Sequence, residues 1–248
     1  MDGAETPAVL ATVDRGRHRL CGPIPASAAV FHRRLLRRAH PDCRTRLAGM
    51  AARPGGGTAM SAPQAMKVLV LCGPESSGKS WLSGVIQAHF GGLVVGEYVR
   101  HFIDQQCRDT CYADIPAIAR GQLAWEDRAR EQAPPLLILD THLLSNMLWS
   151  HALFGDCPTW LEEALLARRY DLHLLLSPQG VDWIADGQRC QPDLSDRQRF
   201  FDDSQAWLRR HNQPHQILDG NWPQRQLLAL QSVAKLLNSD APSCPTEC

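Results

Sequence analysis

The chain has 248 residues, 44% of them apolar, with 26 Lys plus Arg against 26 Asp plus Glu. That length suits one large domain, or a domain with an extension. No apolar run is long enough to span a bilayer as a helix, so the composition predicts a globular chain with no membrane partner.

The balanced charge is unevenly spread. Residues 1–66 hold ten Arg, no Lys and four acids, a net of +6, which leaves −6 for the rest. A mildly acidic core makes a nucleic-acid groove there an unfavourable reading. The first stretch is rich in Ala, Arg, Pro and Gly, and Pro54-Gly55-Gly56-Gly57 reads as a flexible linker. A basic arm for nucleic acid or an acidic membrane surface, an organelle transit peptide, and a leader outside the mature protein are three readings of it. The third is favoured, because Met60 and Met66 stand just before the first core strand. Residues 1–65 are therefore expected to lack a packed fold, 66–238 to form the domain, and 239–248 to be a flexible tail. Nine cysteines at irregular spacing predict reduced thiols in a cytoplasm rather than a disulfide framework.

Lys67-Val68-Leu69-Val70-Leu71-Cys72 reads as a buried strand. Gly73-Pro74-Glu75-Ser76-Ser77-Gly78-Lys79-Ser80 follows and fits G-x-x-x-x-G-K-[ST], the phosphate-binding P-loop. A helix is then predicted from Trp81. Strand, glycine-rich turn and helix suit a triphosphate, because turn N–H groups and the helix N-terminus face the anion. Gly73, Glu75, Ser76, Ser77, Gly78, Lys79, Ser80 and Trp81 are the expected ATP-binding residues. Lys79 would reach the β- and γ-phosphates and Ser80 would ligate Mg²⁺.

Strand two is predicted at 93–97, ending on Glu97, with helices at 98–107 and 115–131. Leu136-Leu137-Ile138-Leu139-Asp140 is strand three, helices follow at 143–153 and 159–168, and strand four is 172–176. A polar segment, 180–195, precedes a helix at 196–211; strand five is 215–218 and the last helix 223–237. Continuous apolar strands between helices predict a five-stranded parallel sheet in a three-layer α/β sandwich of the P-loop kind. The nucleotide is expected at the carboxyl ends of its strands.

Asp140 ends its strand as a Walker B-like carboxylate that would hold Mg²⁺; a helix N-cap is its plain structural reading. Glu97 would bind ribose hydroxyls or accept a proton, Tyr98 would stack on a ring or simply pack, and Thr141 would lie against substrate. Asp186, Gly187, Arg189 and Arg197 form a candidate lid that brings arginines onto the transferring phosphate; an exposed loop is the alternative. Cys72, Trp125, Trp149, Trp160 and Trp207 read as core or packing residues. His142 and His151 read as surface or cap residues.

These segments occur in order: the P-loop, Glu97-Tyr98-x-Arg100, Leu139-Asp140-Thr141, and Trp183-Ile184-Ala185-Asp186-Gly187-Gln188-Arg189 with Arg197 and Phe200. The combination resembles the ribosylnicotinamide kinase domain of the NadR proteins over about residues 67–237. The resemblance implies ATP-dependent phosphorylation of the 5′-hydroxyl of nicotinamide riboside. By it, Lys79, Ser80 and Asp140 serve ATP and Mg²⁺, and Glu97, Tyr98 and Arg100 line a small-molecule nucleoside site. Asp186, Arg189 and Arg197 form the lid, and the general base is Glu97 or Asp140. No His-x-Gly-His adenylyltransferase segment or helix-turn-helix region is present, so kinase activity alone is expected. Val99 and Ala185 depart from the pattern and bear on substrate identity. A kinase for another metabolite, and a nucleotide-binding regulator with little turnover, are the alternatives. Oligomeric state and nucleotide preference have no signal in the sequence.

Overall fold

The computed structural model describes residues 65–239. The expectations for the N-terminal extension and the C-terminal tail fall outside these residues, apart from Ala65 and Ser239.

Five strands form one parallel sheet: β1 Lys67–Cys72, β2 Leu93–Val95, β3 Leu136–Asp140, β4 Leu172–Leu176 and β5 His215–Leu218. Among the described residues seven helices accompany them: α1 Lys79–Phe90, α2 Tyr98–Gln106, α3 Ile115–Glu131, α4 Leu143–Phe154, α5 Trp160–Leu166, α6 Leu194–Arg210 and, after β5, α7 Trp222–Asn238. A 3-10 turn, Tyr112–Asp114, precedes α3. The predicted α/β sandwich is borne out, with strand order β2-β3-β1-β4-β5.

The strands are apolar throughout because both sheet faces are covered. Alternate residues serve opposite layers. Val68, Val70, Cys72, Leu137, Leu139 and Leu175 pack with Ala119, Leu144, Leu161, Phe201 and Leu208 from α3 to α6. Leu69, Leu71, Ile138, Leu174, Leu176 and Leu218 pack with Leu82 and Ile86 of α1 and Ala229 and Val233 of α7. Each Val, Leu, Ile or Phe among them contributes roughly 1.5–3 kcal/mol by leaving water. Cys72, Trp125, Trp149, Trp160 and Trp207 all lie in or against this packing, as expected.

Two features of the sheet place the site. β1 lies between β3 and β4, and the chain crosses from β1 to β2 on one side but from β3 to β4 on the other, which opens a crevice at the carboxyl end of β1. Leu71 is in register with Asp140, so the P-loop and the end of β3 open side by side. Gly73 is held at φ +127°, and a Cβ there would come within 2.6 Å of the Leu176 carbonyl oxygen. The loop thus leaves β1 hard against the end of β4, where only glycine fits.

Strand two is shorter than predicted. It stops at Val95, and Glu97 is the N-cap of α2. Gly96 interrupts the pairing with β3, and Gln122 of α3 takes over the backbone there. It accepts from Tyr98 N at 2.8 Å and donates to Gly96 O at 3.2 Å.

Candidate active site

The P-loop wraps the start of α1. Gly78 is the N-cap, in left-handed backbone, and no acidic side chain occupies the first turn of the helix. The helix thus presents its positive end uncompensated by side-chain charge, the arrangement that attracts phosphate. Ser77 is buried and its hydroxyl donates to Pro74 O at 2.8 Å, which tightens the loop. The Lys79 ammonium donates to Gly73 O at 3.1 Å and Pro74 O at 2.9 Å. It also lies 3.9 Å from Glu97 Oε1.

Asp140 is 5% exposed. Burial, and then the neighbouring Glu97 carboxylate, push its carboxyl above the ordinary carboxylate range, against the pull of Lys79 and a hydrogen bond from Ser80. Its Oδ1 has no hydrogen-bond partner. A buried carboxylate oxygen without a donor, beside a serine hydroxyl, is an oxygen-ligand set that suits Mg²⁺. The helix N-cap reading of Asp140 does not hold, because His142 is the N-cap of α4. Thr141, between them, has φ 77° and a buried hydroxyl without a partner.

Glu97, Arg100 and Asp186 form one charged chain. Arg100 Nε donates to Glu97 Oε2 at 2.7 Å, and Arg100 Nη1 donates to Asp186 Oδ2 at 2.8 Å. This ties the start of α2 to the polar segment after β4. Gln188 adds a second tie, donating to Asp104 Oδ1 at 2.8 Å.

The same segment is tied to the P-loop. Glu75 Oε1 accepts from Trp183 Nε1 at 2.6 Å and from Gln191 N at 2.7 Å; Glu75 Oε2 accepts from Cys190 N at 3.2 Å. Ser76 Oγ accepts from Ile184 N at 2.9 Å and Arg189 Nη1 at 3.2 Å. Residues 183–191 therefore form a strap across the mouth of the loop, with Arg189 brought to the P-loop.

Several expectations change in detail. The Glu75 and Ser76 side chains hold the strap, which leaves their backbone as what they offer a phosphate. Arg197 is not part of the loop: it sits on the first turn of α6, 4% exposed, with Nε and Nη1 unpartnered. The Leu194 start of α6 is what removes it. Tyr98 packs rather than standing free: its ring lies against Gly121 and edge-on to Trp125 at 5.0 Å. His151 is exposed, as expected, but His142 is not a surface residue. It is fully buried, its Nε2 3.2 Å from His173 Nε2, and its side chain caps nothing. The apolar residues that follow it carry α4 into the core on one face of the sheet, and His142 goes with them.

Trp183 and Glu75 each gave a signal as part of a motif, but nothing local signalled that they pair. Trp222 at the mouth of the P-loop and the wholly buried Arg225 were also missed. The only local cue was Asn221-Trp222-Pro223, which opens α7.

An AAA domain family model, AAA_28, matches residues 68–225. Two curated relatives are the trifunctional NAD biosynthesis/regulator proteins NadR of Salmonella typhimurium and Escherichia coli. Each is 26% identical, over 144 and 142 residues respectively, covering 56% of this chain and 34% of the relative. The chain thus spans about a third of their length. Among solved structures, a NadR protein in complex with NR superposes with TM-score 0.60 at 20% identity, covering 70% of this chain and 52% of that one. Thymidylate kinase from Ehrlichia chaffeensis superposes with TM-score 0.50 at 11% identity, covering 70% and 99%. These likenesses establish a P-loop kinase fold. No helix among the described residues is long and apolar enough to cross a membrane. With the family model matched over most of the chain and every part of the P-loop in place, the protein belongs to the AAA domain family AAA_28, and its core is similar to the NadR-type kinase domain.

Proposed function

We propose that the protein is an ATP-dependent kinase that phosphorylates the 5′-hydroxyl of nicotinamide riboside. The observation that carries this is the meeting of Lys79, Ser80, Asp140 and Glu97 at the carboxyl ends of β1, β3 and β2, beneath a strap holding Arg189. The acceptor is suggested by the likeness to a NadR protein bound to NR and by the motif order of the whole core.

In this reading the loop N–H groups and the α1 N-terminus bind the donor's phosphates. Lys79 exchanges the carbonyls of Gly73 and Pro74 for phosphate oxygens. Ser80 and Asp140 Oδ1 are the groups that would hold Mg²⁺, which when bound neutralises charge on the β- and γ-phosphates. The acceptor lies on the α2 side, where Glu97 is fixed by Arg100. Glu97 takes the proton of the 5′-hydroxyl as its oxygen bonds to the γ-phosphorus. The bond from that phosphorus to the bridging oxygen breaks, and ADP leaves. Asp140 is assigned to the metal rather than to the proton, because it lies beside the Ser80 hydroxyl with its Oδ1 unpartnered. Arg189, held at the P-loop by Ser76, supplies positive charge to the transferring group.

The test is incubation of the full chain with ATP, Mg²⁺ and nicotinamide riboside, with mass spectrometry of the products. Nicotinamide mononucleotide and ADP in equal amounts are expected, and neither above background with Lys79→Ala. Phosphorylation of other nucleosides with none of nicotinamide riboside would retain the kinase and reject the acceptor.

A further inference from the structure

Asp186 sits in the strap with both carboxylate oxygens taken up by the protein itself. Oδ1 accepts from Gln188 N and Arg189 N, each at 3.1 Å, which closes a turn around Gly187 at φ 87°. Oδ2 stands 2.8 Å from Arg100 Nη1 and 3.2 Å from Arg189 Nε. Burial works against its charge, but the Gln188 N–H and the Arg100 guanidinium hold its carboxyl below the ordinary carboxylate range. A carboxylate offers about four acceptor positions, and here all of them face groups of the chain. A direct grip on a sugar hydroxyl does not suit it.

The two guanidinium groups that share Oδ2 come from different segments and serve opposite ends of the site. Arg100 is on α2, where its Nε holds Glu97 at 2.7 Å. Arg189 is on the strap, where its Nη1 reaches Ser76 Oγ of the P-loop at 3.2 Å. Two cations this close repel unless an anion stands between them. Lys79 lies 3.9 Å from Glu97, so Lys79, Glu97, Arg100, Asp186 and Arg189 alternate in sign along one ring. The ring leaves the P-loop at Lys79, passes through α2 and the strap, and returns to the P-loop at Ser76.

The strap itself has other anchors. Trp183 and Gln191 are held by Glu75, and Gln188 is held by Asp104. Neutralising Asp186 therefore leaves the strap in place and frees the two arginines. We propose that Asp186 is a positioning residue for phosphoryl transfer. It fixes Arg100, and through it Glu97, at the acceptor hydroxyl, and Arg189 at the transferring phosphate, without touching substrate. This deepens the kinase reading above and rests on it. Small displacements of these groups cost rate more than binding, so the loss belongs in kcat.

The test is steady-state kinetics of the full chain with ATP, Mg²⁺ and nicotinamide riboside, each substrate varied in turn, for wild type, Asp186→Asn and Asp186→Ser. Both substitutions keep an oxygen for the turn N–H groups and remove the charge that the arginines share. Both should lower kcat by roughly 10–100-fold and keep each KM within about 3-fold of wild type. A raised KM for the riboside with kcat unchanged would overturn the proposal and make Asp186 a substrate contact. Wild-type kcat in both variants would also overturn it, leaving Asp186 as a turn former. A wild-type chain that binds ATP but phosphorylates no acceptor would reject the kinase reading, and this role with it.

Discussion

Glu75 and Trp183 lie 108 residues apart and meet through an indole N–H to carboxylate hydrogen bond of 2.6 Å. With the backbone N–H groups of Cys190 and Gln191 on the same carboxylate, this contact makes the P-loop and the strap one unit. Glu75→Gln puts an amide N–H₂ where a carboxylate oxygen accepts. The strap should loosen and kcat/KM should fall roughly 10-fold, since hydrogen bonds to a charged group contribute about 1.5–3 kcal/mol. Steady-state kinetics with hydrogen exchange across residues 180–193 checks it; exchange as slow as wild type would reject the latch.

Lys79 is buried at the P-loop, where its ammonium places charge. Lys79→Ala should reduce turnover by roughly 10²–10³-fold or more while leaving thermal unfolding close to wild type. Activity and a melting curve on the same preparation decide it. Retained turnover would sink the assigned role.

The P-loop, Asp140 and the five strands were legible because their signals are local. Glycine spacing, apolar runs of strand length and Pro134-Pro135 each act within a few residues. Four of the five strands have the predicted bounds; β2 differs because Gly96 and Gln122 settle its end, and Gln122 lies on another element. What was not legible is long-range. Nothing near Glu75 predicts a partner 108 residues away, nothing near His142 predicts His173, and the burial of Arg197 depends on where α6 begins.

Arg225 satisfies three carbonyls from inside the protein. Arg225→Met should destabilise by roughly 3 kcal/mol, because those acceptors lose their donor in a buried place. Urea unfolding measures it. A loss under about 1 kcal/mol would mean that water replaces the guanidinium.

The buried imidazole pair predicts acid sensitivity. His173 Nδ1 contacts Pro214 O at 3.0 Å, so that nitrogen donates and Nε2 accepts from His142. Burial pulls His173 down to about 4 and His142 well below its ordinary value. Both folded values lie below the unfolded one, near 6.5, so the unfolded chain binds more protons between them. Stability is full above about pH 6.5 and falls toward pH 4, by on the order of 3 kcal/mol for His173 alone. Denaturation midpoints at pH 7 and pH 5 test this; in His173→Gln the drop should shrink, and an undiminished drop would assign the effect elsewhere.

The most direct test of the account is ADP release by the full chain with ATP and Mg²⁺, comparing nicotinamide riboside with adenosine, uridine, thiamine and no acceptor. The account predicts turnover that depends on nicotinamide riboside and is lost in Lys79→Ala. Bound ATP with no acceptor-dependent ADP from any of them would contradict it.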